Sequence, residues 1–363
     1  EQGTKLAAGV IALSGLLLVA TPLGGLVNKG LETFRFHTLQ PGLTLLDSVE
    51  TRYGHVAYAR LGDQVSVVQD GRIAESFPQP EAVQLAAAYV YAQSRDAQNI
   101  LVFGSFAGGL VAELLRYPVR HIDVVIQDEN AFEHLAPYLT AENRAALDDR
   151  RLQLRFGDSR QYLRGLTDQR YDLVLALDAV PTSAYSNRFF TREFYSSLQV
   201  HLADSGVFCT QVSSASNYLG GTVRSYAGSV FRTLSGVFPE VSVMPGDIHV
   251  YCAGNRPGQV SEDPAELSQR YLATELDEHR FPAGYFTSLL PQDRIRDLHR
   301  QFRKQPGELN SDARPVTFYL NMLLWARFTA SELADWLEAL RSMQAWPYLV
   351  PVLAFLGLWW LRT

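Results

Sequence analysis

Short apolar runs alternate with amphipathic helical segments through the middle of the chain. Between residues 44 and 77 the runs VAYAR, QVSVVQ and RIAES are broken by Asp70-Gly71, and Asp-Gly between two extended runs is typical of a β-hairpin. Further along, the runs NILVFG, HIDVVIQ, LQLRF, YDLVLALD and GVFCTQV are separated by stretches with helical spacing of apolar residues. Strands that are apolar on both faces and alternate with helices predict a mostly parallel sheet covered by helices.

This pattern predicts an α/β fold with a Rossmann-like, mostly parallel sheet and a small N-terminal β-hairpin domain. In such sheets ligands bind at the carboxyl ends of the strands, near the point where the strand order reverses. The predicted strand ends are residues 104–109 (GSFAGG), 127–129 (QDE), 157–160 (GDSR) and 178–183 (DAVPTS). We therefore expect a ligand site among these four segments.

The two ends of the chain carry long apolar segments without charge. Residues 6–27 would span roughly 33 Å as a helix, and residues 343–361 have aromatic side chains near both limits, as membrane-spanning helices do. We predict two flanking transmembrane helices in a bacterial inner membrane, with the lipid bilayer and other membrane-protein subunits as partners. A cleaved signal peptide is the alternative for the first segment. Lys29 and Arg35 favour, by a small margin, a cytoplasmic side for the intervening domain.

The predicted domains follow these changes of pattern. Residues 1–29 are an N-terminal transmembrane anchor, 43–78 a small antiparallel β domain, 79–258 the α/β domain, 259–328 a helical extension, and 341–363 a C-terminal transmembrane helix. The sequence also fits one piece of a longer membrane protein, and a homo-oligomer is left open.

Composition removes several classes of protein. The chain has 363 residues, of which 47% are hydrophobic and 19% charged, so it can bury a large core and is not of the disordered class. Its net charge is −6, which argues against nucleic acid as a partner. Cys209 and Cys252 lie in apolar runs and are predicted to be buried free thiols. The eight histidines show no metal-ligand spacing, so no metal site is predicted.

Several segments resemble one known family, in the order in which that family carries them. They are GSFAGGLVAELLRYPV, FGDSRQYL, YDLVLALDAVPTSAYSNRFFTREFY, QVSSASNYL, SVFRTLSGVFPEV and NSDARPVTFYLNMLLW. The family is that of the spermidine synthase-like polyamine aminopropyltransferases, relatives of the class I S-adenosylmethionine methyltransferases. The chain resembles their membrane-fused bacterial form, and the resemblance covers residues 43–325.

The resemblance implies a site for decarboxylated S-adenosylmethionine beside a polyamine groove. It places Asp178 as the catalytic carboxylate that assists deprotonation of the attacking amine, and Asp158 as the acid that binds adenine. The implied cofactor-binding residues are Gly104, Gly108, Gly109, Asp128 and Asp158.

Other residues depart from the family pattern. Phe106 and Ala107 stand where the family loop has glycine and an aspartate that faces the amino end of the ligand, and Ile126 stands where a glutamate accepts the ribose hydroxyls. We expect the phenyl ring to occupy ligand volume or to change the turn. On the acceptor side the second acid after Asp178 is missing, and only Glu81 remains of the acidic signature after the hairpin.

Two functional hypotheses follow. The favoured one is a membrane-anchored pseudoenzyme with a degraded cofactor and polyamine site, which binds no cofactor and serves as a structural or interaction subunit of a membrane complex. The alternative is an active polyamine aminopropyltransferase that uses decarboxylated S-adenosylmethionine, or S-adenosylmethionine itself. Asp158 and Asp178 also fit a purely structural role as caps of a helix and a turn.

Overall fold

A computed structural model describes most of the chain. The described residues are 22–104, 106–177, 181, 183, 185–213, 221–304 and 306–329, without the side chains of 22–28, 221–224 and 327–329. Asp178 lies outside the described residues, as do all of the second predicted transmembrane segment and residues 6–21 of the first. Within the described part, no helix combines the length and the apolar character that a membrane crossing requires.

The N-terminal sheet is an antiparallel meander preceded by helix α1 (Pro22–Leu39). Its strands are β1 (Thr44–Thr51), β2 (Gly54–Leu61), β3 (Gln64–Gln69) and β4 (Arg72–Phe77). Asp70 and Gly71 form the turn between β3 and β4 with φ of 49° and 80°, which confirms the predicted hairpin. Phe36 of α1 is buried against this sheet, so the helix covers one of its faces.

The main sheet follows in the order β10-β11-β9-β8-β5-β6-β7. Its strands are β5 (Asn99–Phe103), β6 (His121–Ile126), β7 (Leu152–Phe156), β8 (Tyr171–Ala176), β9 (Leu202–Ser213), β10 (Glu240–Met244) and β11 (Ile248–Gly254). Strands β7, β6, β5, β8 and β9 are parallel, and β11 runs antiparallel to both β9 and β10. The order reverses between β5 and β8, so the predicted ligand crevice lies there.

Helices cover both faces of this sheet. The helices that follow the N-terminal sheet along the chain are α2 (Pro80–Ser94), α3 (Leu110–Leu114), α4 (Glu129–Leu135), α5 (Ala141–Leu147), α6 (Ser159–Gly165), α7 (Arg192–Gln199), α8 (Gly221–Ser235), α9 (Pro264–Leu272), α10 (Phe286–Leu289), α11 (Gln292–Lys304) and α12 (Val316–Thr329). Side chains alternate along β5, where Ile100 and Val102 enter the core on one face and Leu101 and Phe103 the core on the other. The predicted α/β, Rossmann-like fold with an N-terminal antiparallel sheet is confirmed, whereas the predicted domain limits stay predictions.

The two cysteines correct one expectation. Both side chains are buried, as predicted, but Cys209 and Cys252 form a disulfide rather than two free thiols. They lie directly opposite each other on β9 and β11, with their Cα atoms 4.2 Å apart. The two cysteines are 43 positions apart in the sequence, and the register of β9 against β11 places them opposite each other. The apolar residues next to each cysteine do not indicate this pairing.

Candidate functional site

The glycine loop joins β5 to α3. Gly104 and Gly109 adopt φ of 130° and 96°, a region that favours glycine, and Gly109 is the N-cap of α3. Phe106 is 1% exposed and its ring packs edge to face on Phe132 at 6.1 Å. The ring thus belongs to the core cluster beneath the loop, and the expectation that it occupies the ligand volume or changes the turn stays a prediction.

Two side chains from other elements contact this loop. Asn143 of α5 is buried, and its Nδ2 donates to the carbonyl oxygen of Ala107 at 2.6 Å. Glu75 of β4 lies against Gly108, where a Cβ would be 2.5 Å from the Glu75 Oε1 atom. The loop is therefore held from the helix layer on one side and by the small sheet on the other.

Asp128 follows β6 and begins α4. Its extended backbone and its Oδ1, which accepts from the N–H of Ala131 at 3.2 Å, make it an ordinary N-cap. Its other oxygen, Oδ2, is buried and has no hydrogen-bond partner within the described part of the chain. Burial first, and then the charges of Asp128 and Asp47, raise the pKa of nearby Tyr58. A carboxylate oxygen at a strand end thus lacks a donor.

Asp158 follows β7 and begins α6, and both of its oxygens are engaged. Oδ1 accepts from the backbone N–H groups of Arg160 and Gln161 at 3.0 and 2.9 Å. Oδ2 accepts from the Tyr185 hydroxyl at 3.1 Å and from Arg188 Nη1 at 3.0 Å. The cavity beside these groups is only about 10 Å³, less than an adenine ring needs. The carboxylate therefore has a structural role in this conformation.

The surroundings of Asp158 also change its protonation. Burial opposes ionisation, but the N–H of Gln161 and the charge of Arg188 outweigh it, so the pKa of Asp158 is lowered. The carboxylate is accordingly ionised throughout the physiological range.

The other predicted site residues differ in their surroundings. Gly104 donates its N–H to the carbonyl of Val125, which ties the loop to the end of β6. Ile126, where the resemblance implies a ribose-binding glutamate, is 8% exposed and belongs to the core. Glu81 is exposed in the first turn of α2. Asp178 lies outside the described residues.

A cavity of about 390 Å³ lies on the helix side of the glycine loop, between the start of α2, α3 and α5. Gly108 and Gly109 line it, but Gly104, Asp128 and Asp158 do not. This cavity is therefore distinct from the strand-end crevice.

Sequence reasoning missed Glu75, Tyr185 and Arg188. Tyr185 and Arg188 reach Asp158 from a later segment, and no local pattern marks that contact. A signal did exist for Glu75, because it shares a strand face with the buried Phe77 two residues later, and a carboxylate on the inward face of a strand is unusual.

Comparison with known proteins identifies the central segment. Residues 85–249 match the family described as the spermine/spermidine synthase domain. The match covers less than half of the chain, and it shows similarity to that family over this segment. The chain is similar to the polyamine aminopropyltransferase of Prochlorococcus marinus (strain MIT 9215), with 26% identity over 44% of this chain and 54% of the relative. It is also similar to that of Lachnoclostridium phytofermentans, with 30% identity over the same shares. The chain spans about half the length of these curated relatives.

Two solved structures have a fold similar to that of this chain. A spermidine synthase in complex with the transition state analogue AdoDATO matches with a TM-score of 0.56 at 17% identity, over 72% of this chain and 89% of that one. Spermidine synthase from Thermotoga maritima matches with a TM-score of 0.52 at 17% identity, over 71% and 88%. At this identity the likeness concerns the fold alone.

These relatives overturn the favoured hypothesis of the sequence analysis. The interpretation as a pseudoenzyme subunit is wrong, because the curated relatives above are named as polyamine aminopropyltransferases, and they favour the alternative. These relatives also give no support to the expectation that the protein binds no cofactor. That interpretation rested on the loop substitutions at Phe106 and Ala107, and in the structure Phe106 is buried in the core cluster beneath the loop.

Proposed function

We propose that the spermine/spermidine synthase domain is an active polyamine aminopropyltransferase that takes decarboxylated S-adenosylmethionine as its donor. The observation that carries the proposal is the buried Oδ2 of Asp128, which has no hydrogen-bond donor in the described part of the chain and lies at the carboxyl end of β6. Buried polar atoms are nearly always satisfied, so an orphaned acceptor at the ligand edge of the sheet supports a ligand that donates to it.

The residues present fit the nucleoside part of this donor. Ribose hydroxyls are donors, and Asp128 Oδ2 would accept from one of them in place of the glutamate that Ile126 replaces. The glycine loop, with its positive φ at Gly104 and Gly109, would let the backbone approach the ligand closely. Asp158 is assigned no contact with the donor, because its Oδ2 accepts hydrogen bonds from Tyr185 and Arg188.

In the reaction a polyamine nitrogen forms a bond to the aminopropyl carbon of the donor. The carbon–sulfur bond breaks, and the sulfur leaves with the electron pair as methylthioadenosine. Asp178 is proposed to receive the proton that the attacking amine loses, because a positioned carboxylate makes the nitrogen lone pair available. The chain supplies orientation and a base, and the sulfonium supplies the leaving group.

Transfer activity tests this proposal directly. Purified protein is incubated with decarboxylated S-adenosylmethionine and putrescine, and methylthioadenosine is measured. We expect product from the wild type and a loss of roughly 100-fold or more in Asp178→Asn, which is the contribution typical of a general base. Product formation is followed with spermidine and cadaverine as well, so that the acceptor is not assumed.

The control is Asp277→Asn, since Asp277 is exposed and remote from the strand ends in sequence. It should retain wild-type rates. An inactive wild type whose melting temperature is unchanged by saturating donor would refute the proposal, because a ligand that binds the native state raises its stability.

A location at the bacterial inner membrane, with the domain on the cytoplasmic side, is a separate proposal. It is supported by the uncharged segments 6–27 and 343–361 and by the exposed apolar side chains of Leu31, Phe34 and Trp325 on the helices next to them. Protease protection of the domain in sealed inverted vesicles tests it, because a cytoplasmic domain is digested there. Partner subunits and a homo-oligomer stay predictions.

A further inference from the structure

The N-terminal sheet places a carboxylate directly on the glycine loop. Glu75 lies near the end of β4, and its Oε1 occupies the space beside Gly108 into which a side chain would project, 2.5 Å from the position of a Cβ. A larger residue at 108 would displace this carboxylate. Glycine at this position therefore allows an acid from another sheet to contact the loop backbone.

Buried neighbours hold both sides of this contact. Phe77, on the same face of β4, is 1% exposed, and the hydroxyls of Ser76 and Ser66 are hydrogen-bonded at 2.8 Å across β4 and β3. On the loop side, Asn143 holds the carbonyl of Ala107. The residues on both sides of the contact are thus held in place, and Glu75 itself is half-buried.

The charge of Glu75 matters because the loop itself has none. Residues 104–109 (GSFAGG) contain no ionisable side chain, and Ala107 stands where the resemblance implies an acid. A sulfonium nucleoside with a primary ammonium group is a dication, and removing it from water requires a nearby counter-charge. Glu75 brings a carboxylate to the residue next to Ala107.

We propose that Glu75 is the carboxylate that binds the ammonium group of the donor, supplied by the N-terminal sheet in place of the loop. This inference rests on the proposed function and adds a residue that determines donor specificity. S-adenosylmethionine carries an additional carboxylate beside its ammonium group. Like charges close together are unfavourable, so Glu75 favours the decarboxylated donor.

Titration calorimetry of Glu75→Gln with three nucleosides tests the inference. We expect decarboxylated S-adenosylmethionine to bind roughly 10- to 100-fold more weakly, because a charge-assisted hydrogen bond is lost. Methylthioadenosine lacks the ammonium group, and its affinity should stay within about twofold of wild type. The preference for decarboxylated S-adenosylmethionine over S-adenosylmethionine should fall by a similar 10- to 100-fold. Glu75→Asp keeps the charge and should retain part of that preference.

The matched control is Glu50→Gln, an exposed glutamate on β1 of the same sheet, which should bind all three nucleosides as the wild type does. Unchanged donor affinity in Glu75→Gln, or an equal loss for methylthioadenosine, would overturn the role of Glu75 and leave the proposed function standing. A wild type that binds none of the nucleosides would instead refute the proposed function, and this inference with it.

Discussion

Asp128 and Asp158 follow two neighbouring parallel strands and begin the next helices, yet their second carboxylate oxygens have opposite surroundings. In both residues Oδ1 caps the helix. Oδ2 of Asp158 accepts hydrogen bonds from Tyr185 and Arg188, whereas Oδ2 of Asp128 is buried without a donor in the described part of the chain. The same position in the sequence pattern thus supports two different roles.

The difference comes from the elements that face each strand end. The 3₁₀ helix Ser186–Phe190 and the residue before it bring donors to Asp158. Beside Asp128 lies Tyr58 of the N-terminal sheet, but its hydroxyl donates to the carbonyl of Ala131 at 2.5 Å. A tyrosine has one donor hydrogen, so none is left for Asp128. The surroundings, and not the N-cap role, therefore decide which acid is available to a ligand.

Among the variants that compare Asp128 with Asp158, Asp128→Asn is expected to change ligand affinity most. An amide nitrogen in the place of Oδ2 cannot accept a ribose hydroxyl, so methylthioadenosine should bind roughly 10- to 100-fold more weakly. The free energy of unfolding should not fall, because the asparagine oxygen keeps the cap and a buried charge without a donor is removed. Calorimetric titration and urea unfolding measure the two quantities.

Unchanged affinity together with lower stability would contradict this assignment, since Asp128 would then be a structural acid like Asp158. The exposed Asp277→Asn variant serves as the control for loss of one negative charge.

Asp158→Ala should lower the stability of the protein but not its ligand affinity, and the change should be smaller than that in Asp128→Asn. The free energy of unfolding is expected to fall by about 1–2 kcal/mol, because the variant loses an N-cap and an ion pair that is only partly shielded from water. Methylthioadenosine affinity should stay within about twofold. Asp158→Asn keeps a good cap and should lose less stability. A tenfold loss of affinity at unchanged stability would make Asp158 a binding residue after all.

The fold could be predicted because its signals are local. Residues 99–104 (NILVFG) gave both a strand and its ligand end, and Asp70-Gly71 gave a turn, since strand periodicity and turn chemistry depend on neighbours in sequence. Asp128 and Asp158 were also placed at strand ends for this reason.

The site could be predicted only in part because its decisive contacts are long-range. Arg188 reaches Asp158 from 30 residues along the chain, and Glu75 reaches the loop from the other sheet. The effect of the substitutions at Phe106 and Ala107 was therefore inferred from the loop sequence alone. That sequence shows neither the core around the Phe106 ring nor the Glu75 carboxylate beside Gly108. The Arg188 contact has no local signature in the sequence, and the signal for Glu75 is its place on the inward face of β4.

The smallest expected effect concerns the pH dependence of the Asp158–Arg188 pair. The pKa of Asp158 is lowered in the folded state, so its ionised form stabilises the fold above the unfolded pKa of about 3.9, and this contribution disappears as the pH falls through the lower native pKa. The stability difference between wild type and Asp158→Asn, about 0.5–1 kcal/mol at neutral pH, should therefore vanish in acid. Urea unfolding between pH 7 and pH 2 measures this difference.

In an Arg188→Met background the stability difference between wild type and Asp158→Asn should already be smaller at neutral pH, because the opposite charge is gone. A difference that grows as the pH falls would show that Asp158 is strained in its ionised form, and would remove the contrast with Asp128.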